Sequence, residues 1–431
     1  MRPFRTLIIV NPKAGQQDRS RVETWTAQLT EFWSSSGDGD GANGGPGQTP
    51  ALVETTQGQA HAERLAHDWI LSTRQGGSGS HPVDTTFPLL ILCLGGDGTI
   101  HEVVNGVHQA QREASGPVWL GVVPLGSGNA LAASLGFTDV DQAIHRYTNP
   151  TIQTHPCLQP FHLIETKVPA DAVSLDGTRV PPPPPDTLRQ SFCVLSWGFH
   201  CSNVADSEWL RWLGPSRFSI IGFKNLLTLR DYHGTVRLEG ARRFYPSPTA
   251  TTTPPLSSSS TAEPNPPTLP SPFEGEFRSL ENNDATPLAQ ATDRLNRGQD
   301  TLELDGPFTI FLAAKQATLS AGFCIAPLAT PADPYLDVVM GRGLTRAQLW
   351  AFLQGATVGG GTHVQLPYVE YYKVRGLTMQ PSSQRPLQAS HSPNPNARHT
   401  VCIDGEIMSF HEPGVVEARV TPATLGLQTL S

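Results

Sequence analysis

Apolar and polar positions follow two periods along the first 150 residues. Residues 7–10 form a continuous apolar run of the buried-strand kind, and after a Gly-containing turn Val22, Trp25, Leu29 and Phe32 recur at helical spacing. The alternation continues with a strand at 51–53, a helix at 61–70 and a strand at 89–94. A helix at 100–109 follows, with Val103, Val104 and Val107 inward, and then a strand at 120–123. Strands separated by helical segments predict βαβ units and a parallel sheet. Ligands of such sheets sit beyond the carboxyl ends of the strands, so the loops after Val10, Leu94 and Val123 are where chemistry is expected.

Beyond residue 150 the pattern changes to strands bounded by turn signals, at 192–195, 234–238, 308–313, 335–339, 371–379 and 400–403. A second, mostly β domain is expected over 151–431, after a nucleotide-binding α/β domain over 1–150. Composition then locates what is not fold. The 431 residues include 40 Gly and 39 Pro, and 16% are charged, where about 25% is usual. Eighteen of the prolines lie in 181–185, 246–272 and 381–395, stretches too poor in apolar residues to fold. Unfolded insertions are therefore expected at about 168–188, 246–300 and 381–398, and flexible Gly/Ser-rich loops at 34–47 and 76–80.

With 30 basic against 38 acidic residues the net charge is -8, the wrong sign for a nucleic-acid binder. The chain has no apolar run of membrane-spanning length, and the run at 7–10 is too short for a signal peptide, so a cytoplasmic protein is expected. Six cysteines without a C-x-x-C pair are read as reduced core thiols.

Three strand ends carry the candidate chemistry. Leu94-Gly95-Gly96-Asp97-Gly98-Thr99 stands between a strand and a helix. Its glycines allow close backbone approach to a ligand, and the helix start beyond them suits a phosphate. Asp97 at that mouth is a general base, a metal contact, or simply a helix cap. Pro124-Leu125-Gly126-Ser127-Gly128-Asn129-Ala130 follows the next strand, and Asn11-Pro12-Lys13-Ala14-Gly15 follows the first. Three such loops on one sheet edge favour a nucleotide site. Walker A, zincin, hydrolase-elbow and protein-kinase strings are absent. Further along, Arg211 and Arg217 suit phosphate oxygens or pair with Asp206 or Glu208 on a helix surface. Asp404-Gly405-Glu406 is either a hairpin turn or a carboxylate pair for Mg2+.

The blocks V-N-P-K-A-G (10–15), G-G-D-G-T-I-H-E-V-V-N-G (95–106), P-L-G-S-G-N-A-L-A-A-S-L (124–135), W-G-F (197–199), D-S-E-x-x-R-W-L-G-P-x-R (206–217) and I-D-G-E (403–406) occur in this order. They resemble the diacylglycerol-kinase-type catalytic fold, and within it the sphingosine kinase and ceramide kinase group of lipid kinases. The resemblance implies an α/β N-terminal domain with a parallel sheet, of the NAD kinase and diacylglycerol kinase type, followed by a mostly antiparallel β-sandwich. It implies ATP and Mg2+ as cofactors, and transfer of the γ-phosphate to a primary hydroxyl of a sphingoid base. A ceramide or diacylglycerol kinase and a catalytically silent lipid-binding relative are the alternatives.

Position by position, the resemblance makes Asp97 the general base, with Glu406 as the competing choice. It places Asn11, Lys13, Thr56, Gly96, Gly98, Thr99, Gly126, Ser127 and Gly128 at ATP, and Arg211 and Arg217 on its phosphates. Asp404, as metal ligand, and Gly405 and Glu406, at the nucleotide, come from the second domain. Where sphingosine kinases carry two aspartates after W-G-F, this chain has Ser202 and Val204, which leaves Ser202 and Asp206 as substrate contacts. Partners implied are a long-chain lipid, peripheral and transient contact with intracellular membranes, no nucleic acid, and a second copy of the chain as a candidate. Trp209, Leu210, Trp212, Ile220 and Ile221 are read as either a lipid gate or a packed core helix.

Overall fold

A computed structural model describes residues 5–15, 17–34, 50–75, 88–137, 139–151, 158–174, 189–214, 216–246, 275–280, 294–296, 300–320, 322–382, 399–410, 414–422 and 425–428. The readings made for 35–49, 76–87, 175–188, 247–274 and 383–398 lie outside the described residues. Strands β1 (Arg5–Val10), β2 (Leu52–Thr55), β3 (Leu89–Gly95) and β4 (Val118–Pro124) form a parallel array in the order β2-β1-β3-β4. Val10 pairs with Thr55 and with Leu94, and Leu94 pairs with Val123. That register brings the three strand ends predicted to carry chemistry to one level of the sheet.

Helices α1 (Arg19–Ser34), α2 (His61–Gln75), α3 (Asp97–Glu113), α4 (Ala130–Ser134) and α5 (Val140–Tyr147) connect and flank these strands. In α1 the fourth inward position belongs to Trp33, not Phe32, and Phe32 packs edge-on against it at 5.5 Å. Helix α3 starts three residues before its apolar period, because its first turn is the glycine loop itself. Its inward residues include Val103, Val104 and Val107, as expected, and Gly106. A Cβ on Gly106 would land inside the Glu63 carbonyl of α2, so the two helices cross at backbone contact.

The second half is built from antiparallel layers. It includes β6 (Ile164–Lys167), β7 (Val173–Ser174), β8 (Arg189–Ser191), β9 (Val194–Gly198), β10 (Gly234–Glu239), β11 (Arg242–Pro246), β12 (Gly275–Ser279), β13 (Arg294–Asn296), β14 (Thr301–Asp305) and β15 (Phe308–Ala314). A small hairpin, β16 (Thr318–Ser320) with β17 (Phe323–Cys324), and β18 (Leu336–Arg342), β19 (Val369–Val374), β20 (Gly376–Pro381), β21 (His399–Ile403), β22 (Glu406–Phe410) and β23 (Val416–Val420) complete it. A seven-stranded sheet, β13-β14-β10-β20-β23-β6-β8, faces a nine-stranded one, β12-β11-β19-β18-β15-β9-β21-β22-β7. Trp197, Val236, Leu304, Phe311, Met340, Met379 and Phe410 are buried between them, so the predicted β-sandwich is what forms. The other face of the larger sheet packs Ile310, Leu312 and Val339 into the core shared with helix Arg346–Ala356 and the parallel sheet.

Several expectations change. The single strand predicted at 371–379 breaks at Arg375 into β19 and β20, which belong to different sheets; both halves are buried, so no period marks the crossing. Phe192 and Cys193 lie in a bend before β9, not in the strand. Strand β12 pairs with β11 inside the stretch expected to be an unfolded insertion at 246–300, and β7 stands inside 168–188. The 151–431 stretch also lends two strands to the first sheet: β24 (Leu425–Gln428) pairs parallel to β4, and β5 (Leu158–Phe161) pairs antiparallel to β24. Cys93, Cys193, Cys201 and Cys402 are buried free thiols and Cys324 is a half-buried one, while Cys157 is outside the described residues.

The α2–α3 contact gives a direct test. Gly106→Ala should lower the unfolding free energy by about 1–3 kcal/mol in a urea titration followed by circular dichroism. Gly58→Ala, where a Cβ would meet nothing within 4 Å, should stay within about 0.5 kcal/mol of the parent.

Candidate active site

Three loops meet at the carboxyl edge of the parallel sheet. In the first, the Asn11 amide N–H donates to Leu94 O at 2.9 Å, its side-chain Nδ2 donates to Thr99 Oγ1 at 2.9 Å, and its Oδ1 accepts from Lys13 N at 3.0 Å. Asn11 thereby ties the β1 loop to the first turn of α3, with Lys13 exposed at the rim. Thr56, at the end of β2, is buried and donates its N–H to Val10 O at 2.8 Å.

The second and third loops touch through glycine. A Cβ on Gly126 would sit 2.5 Å from Gly96 Cα, and one on Gly96 would sit 3.0 Å from Gly126 Cα. Side chains are excluded here by the neighbouring backbone. Asn129 holds the third loop closed: it adopts the left-handed conformation at φ +54°, its Oδ1 accepts from Gly126 N at 2.9 Å, and its Nδ2 donates to Gly126 O at 2.7 Å. Gly98 and Ser127 remain exposed, and a Cβ on Gly98 would meet nothing within 4 Å.

Asp97 lies between these loops. It does not cap its own helix; the α3 N-cap is Gly96, which has no side chain to cap with. Its Oδ2 instead accepts from Ala130 N at 3.0 Å and its Oδ1 from Leu131 N at 3.4 Å, at the start of α4. Burial pushes its pKa up to about 6; the α4 amides pull the other way, and the charge of Asp404 adds to the rise. A carboxylate with such a pKa is ionised near neutrality and can still accept a proton.

The second half supplies Asp404, at the turn between β21 and β22. Asp404 and Gly405 have φ of +48° and +89° and separate the paired Ile403 and Glu406, the two-residue hairpin that a D-G sequence favours. The Asp404 carboxylate is almost fully buried. Its Oδ1 accepts from Cys193 N at 3.0 Å and Val194 N at 2.8 Å, and its Oδ2 accepts from Phe192 N at 2.9 Å and His101 Nδ1 at 3.2 Å. These four bonds engage both oxygens of the carboxylate that the sequence reads as a metal ligand. Among the described residues no group of three His, Cys, Asp or Glu side chains is arranged to hold a metal ion. Glu406 is half-exposed and pairs with Arg189 at 2.7 Å.

On helix Phe199–Ser207, Ser202 Oγ lies 2.5 Å from the Tyr232 Oη, and Val204 is buried. Asp206 pairs with Lys224 at 3.6 Å. Arg217 pairs with Glu208 at 3.8 Å, and its guanidinium lies 4.6 Å from the Phe218 ring centroid, the surface pairing that the sequence left open. Arg211 sits in the 3-10 turn Glu208–Leu213, and its side chain is outside what the structure describes. The glycine-loop residues, Asn11, Thr99 and Asp97 are therefore gathered at one place, whereas the contacts of Arg217, Ser202 and Asp206 lie within the second half. His101, Asn105 and Asn129 were not singled out from the sequence; the four-residue spacing of Asp97, His101 and Asn105 was the available signal.

Residues 42–158 match the family described as diacylglycerol kinase catalytic domain, and residues 289–427 match the YegS C-terminal NAD kinase beta sandwich-like domain. Sphingosine kinase 1 of Arabidopsis thaliana is 23% identical over 410 residues, covering 95% of this chain and 69% of the relative. The chain carries the two domains of a diacylglycerol-kinase-type lipid kinase. Human sphingosine kinase 1 is similar to this lipid kinase at 28% identity over 245 residues, covering 54% of this chain and 51% of its own. Human ceramide kinase is 28% identical over 172 residues, covering 37% and 28%. In fold, the chain is similar to a solved structure assigned as a diacylglycerol kinase from Bacillus anthracis str. Sterne, with a TM-score of 0.54 at 14% identity over 99% of this chain and 97% of that one. The reaction of the family is phosphoryl transfer from ATP to a lipid. Among the described residues, no helix of this lipid kinase is long and apolar enough to cross a membrane.

Proposed function

We propose that this chain transfers the γ-phosphate of ATP to the primary hydroxyl of a sphingoid long-chain base, with Asp97 as the general base. The observation that carries this reading is the placement of the Asp97 carboxylate between the two touching glycine loops, with burial raising its proton affinity. In the reaction the acceptor oxygen forms a bond to the γ-phosphorus, the bond from phosphorus to the β–γ bridging oxygen breaks, ADP leaves, and the hydroxyl proton passes to Asp97. Gly96, Gly98, Gly126, Ser127 and Gly128 line the phosphates with Asn11, Lys13, Thr56 and Thr99, and the start of α3 offers its amides to the negative charge. Glu406, paired with Arg189, faces the nucleotide from the second half, with Gly405 at the turn.

Among the described residues no cluster of three side chains is arranged for a metal ion, and the Asp404 oxygens are engaged by hydrogen bonds. The metal is read as arriving with the nucleotide, and no step here depends on it. Ser202, hydrogen-bonded to Tyr232 where sphingosine kinases carry a carboxylate, favours a neutral acceptor such as a ceramide or diacylglycerol as the second reading. Under the sphingoid-base reading, Asp206 is the nearby acid left for the amine.

Peripheral membrane contact is part of the proposal. Trp209, Trp212, Ile220, Phe223, Leu227 and Trp350 are each at least half exposed, on the 3-10 turn, helix Ser216–Leu227 and helix Arg346–Ala356, which pack together. Large apolar surface of this extent suits insertion at a lipid interface. Leu210 and Ile221, read from sequence with Trp209, Trp212 and Ile220 as one gate, are buried and belong to the core.

Incubation with labelled ATP and a panel of sphingosine, dihydrosphingosine, ceramide and diacylglycerol should give labelled sphingoid base; label only on the neutral lipids would select the second reading. Asp97→Asn should lower kcat by about 10²–10⁴-fold with ATP affinity retained. The base acts unprotonated, so kcat/KM should be level well above the Asp97 pKa of about 6, half-maximal near it, and fall about tenfold per pH unit below it. Phe223→Glu should reduce cosedimentation with phosphatidylcholine vesicles about tenfold while leaving turnover of detergent-solubilised lipid unchanged.

A further inference from the structure

Helix α3 carries Asp97, His101 and Asn105 on one stripe, four residues apart. Asp97 turns to the start of α4, and the two below it reach across to the second half. Asn105 Nδ2 donates to Gln190 O on β8 at 3.1 Å and to His101 O at 2.9 Å. His101 Nδ1 meets Asp404 Oδ2 at 3.2 Å, with side chains 18% and 2% exposed. A carboxylate that already accepts backbone N–H bonds can only accept here, so the Nδ1 nitrogen carries the proton.

Asp404 passes that contact on. Its carboxylate collects the amides of Phe192, Cys193 and Val194, and its own N–H returns to Val194 O at 2.9 Å. Strand β9 starts at Val194 and runs without a loop, through Gly198, into helix Phe199–Ser207 with Ser202 and Asp206. One helical turn, one side-chain hydrogen bond and one strand thus separate the Asp97 carboxylate from the helix proposed to face the acceptor.

We infer that His101 is a positioning residue, whose hydrogen bond to Asp404 fixes the placement of Asp97 against the acceptor-binding helix. The inference rests on the reading of Asp97 as base. In phosphoryl transfer the protein contributes chiefly alignment and charge, and a misplacement of about 1 Å costs on the order of 10²-fold in rate. Other charged groups facing His101 are Glu406 and Arg189. Neither shares its hydrogen bond.

The test compares variants that differ in the donor. His101→Asn keeps an N–H at the position of Nδ1, whereas His101→Ala removes it. The alanine variant should lose about 10–100-fold in kcat, with KM for ATP and for lipid within about threefold of the parent, and the asparagine variant should recover most of the loss. In an Asp97→Asn background, His101→Ala should cost less than about threefold, because no base remains to be aligned. Should the alanine variant fail to fold, His101→Leu, which preserves volume without the donor, takes its place. An unchanged kcat in the donorless variant, a defect confined to KM, no recovery in His101→Asn, or the same loss with and without Asp97 would each overturn the inference. Full activity in Asp97→Asn alone would instead remove the reading of Asp97 as base.

Discussion

Gly96 and Gly126 come within contact of each other's main chain, and much of the site geometry follows from that approach. A Cβ at 126 would lie 2.5 Å from Gly96 Cα, closer than nonbonded carbon atoms pack. Because the two loops meet there, α4 begins beside the first turn of α3, and its amides fall on Asp97. Gly15, at φ +64°, brings the β1 loop against the Leu125 carbonyl from the other side. The glycines thus serve loop-to-loop packing first. Their availability to phosphate is a product of the same lack of side chains, since Gly98 opens on empty space and Ser127 on solvent.

Perturbed acidity by itself does not mark the site. Asp97 and Asp337 are both raised to about 6, in each case chiefly by burial. Asp337 is buried on the face of the larger sheet turned away from the sandwich interior, with Lys373 at 3.0 Å and the Tyr371 hydroxyl as hydrogen-bond partners, a structural network. Asp97 stands where three strand ends converge. Asp404 is equally removed from solvent, but three backbone amides and an imidazole surround it, and donors of that number stabilise a buried anion. Those donors make Asp404 a fastening that joins the β21–β22 turn to β9 and to α3.

The parallel sheet and its helices were legible from periodicity because β3 is buried along its whole length and α3 shows its apolar stripe without interruption. The glycine loops were legible because their positions at strand ends have few alternatives. What the sequence concealed depends on distance in the fold. The Asp404 role required Phe192, Cys193 and Val194, more than 200 residues away, to present their amides together. The break at Arg375 is hard to read from periodicity because most positions of both β19 and β20 are buried, polar ones such as Glu370 included. Strand β12 hid in a proline-rich context, where composition speaks for the whole stretch and cannot resolve a five-residue element. Leu210 and Ile221 show the same limit: their neighbours Trp209 and Ile220 are equally apolar, and only packing separates core from surface.

The first sheet is finished by residues that are translated after the sandwich. Between β4 and β5 runs β24, parallel to one and antiparallel to the other. While a ribosome is still making the sandwich, β4 has no β24 beside it, and β5 has nothing to join. The glycine-loop half of the protein is thus an unfinished layer with an exposed, pairing-competent margin until the sandwich has been made. Its completion must wait for the sandwich, and both halves mature as one object.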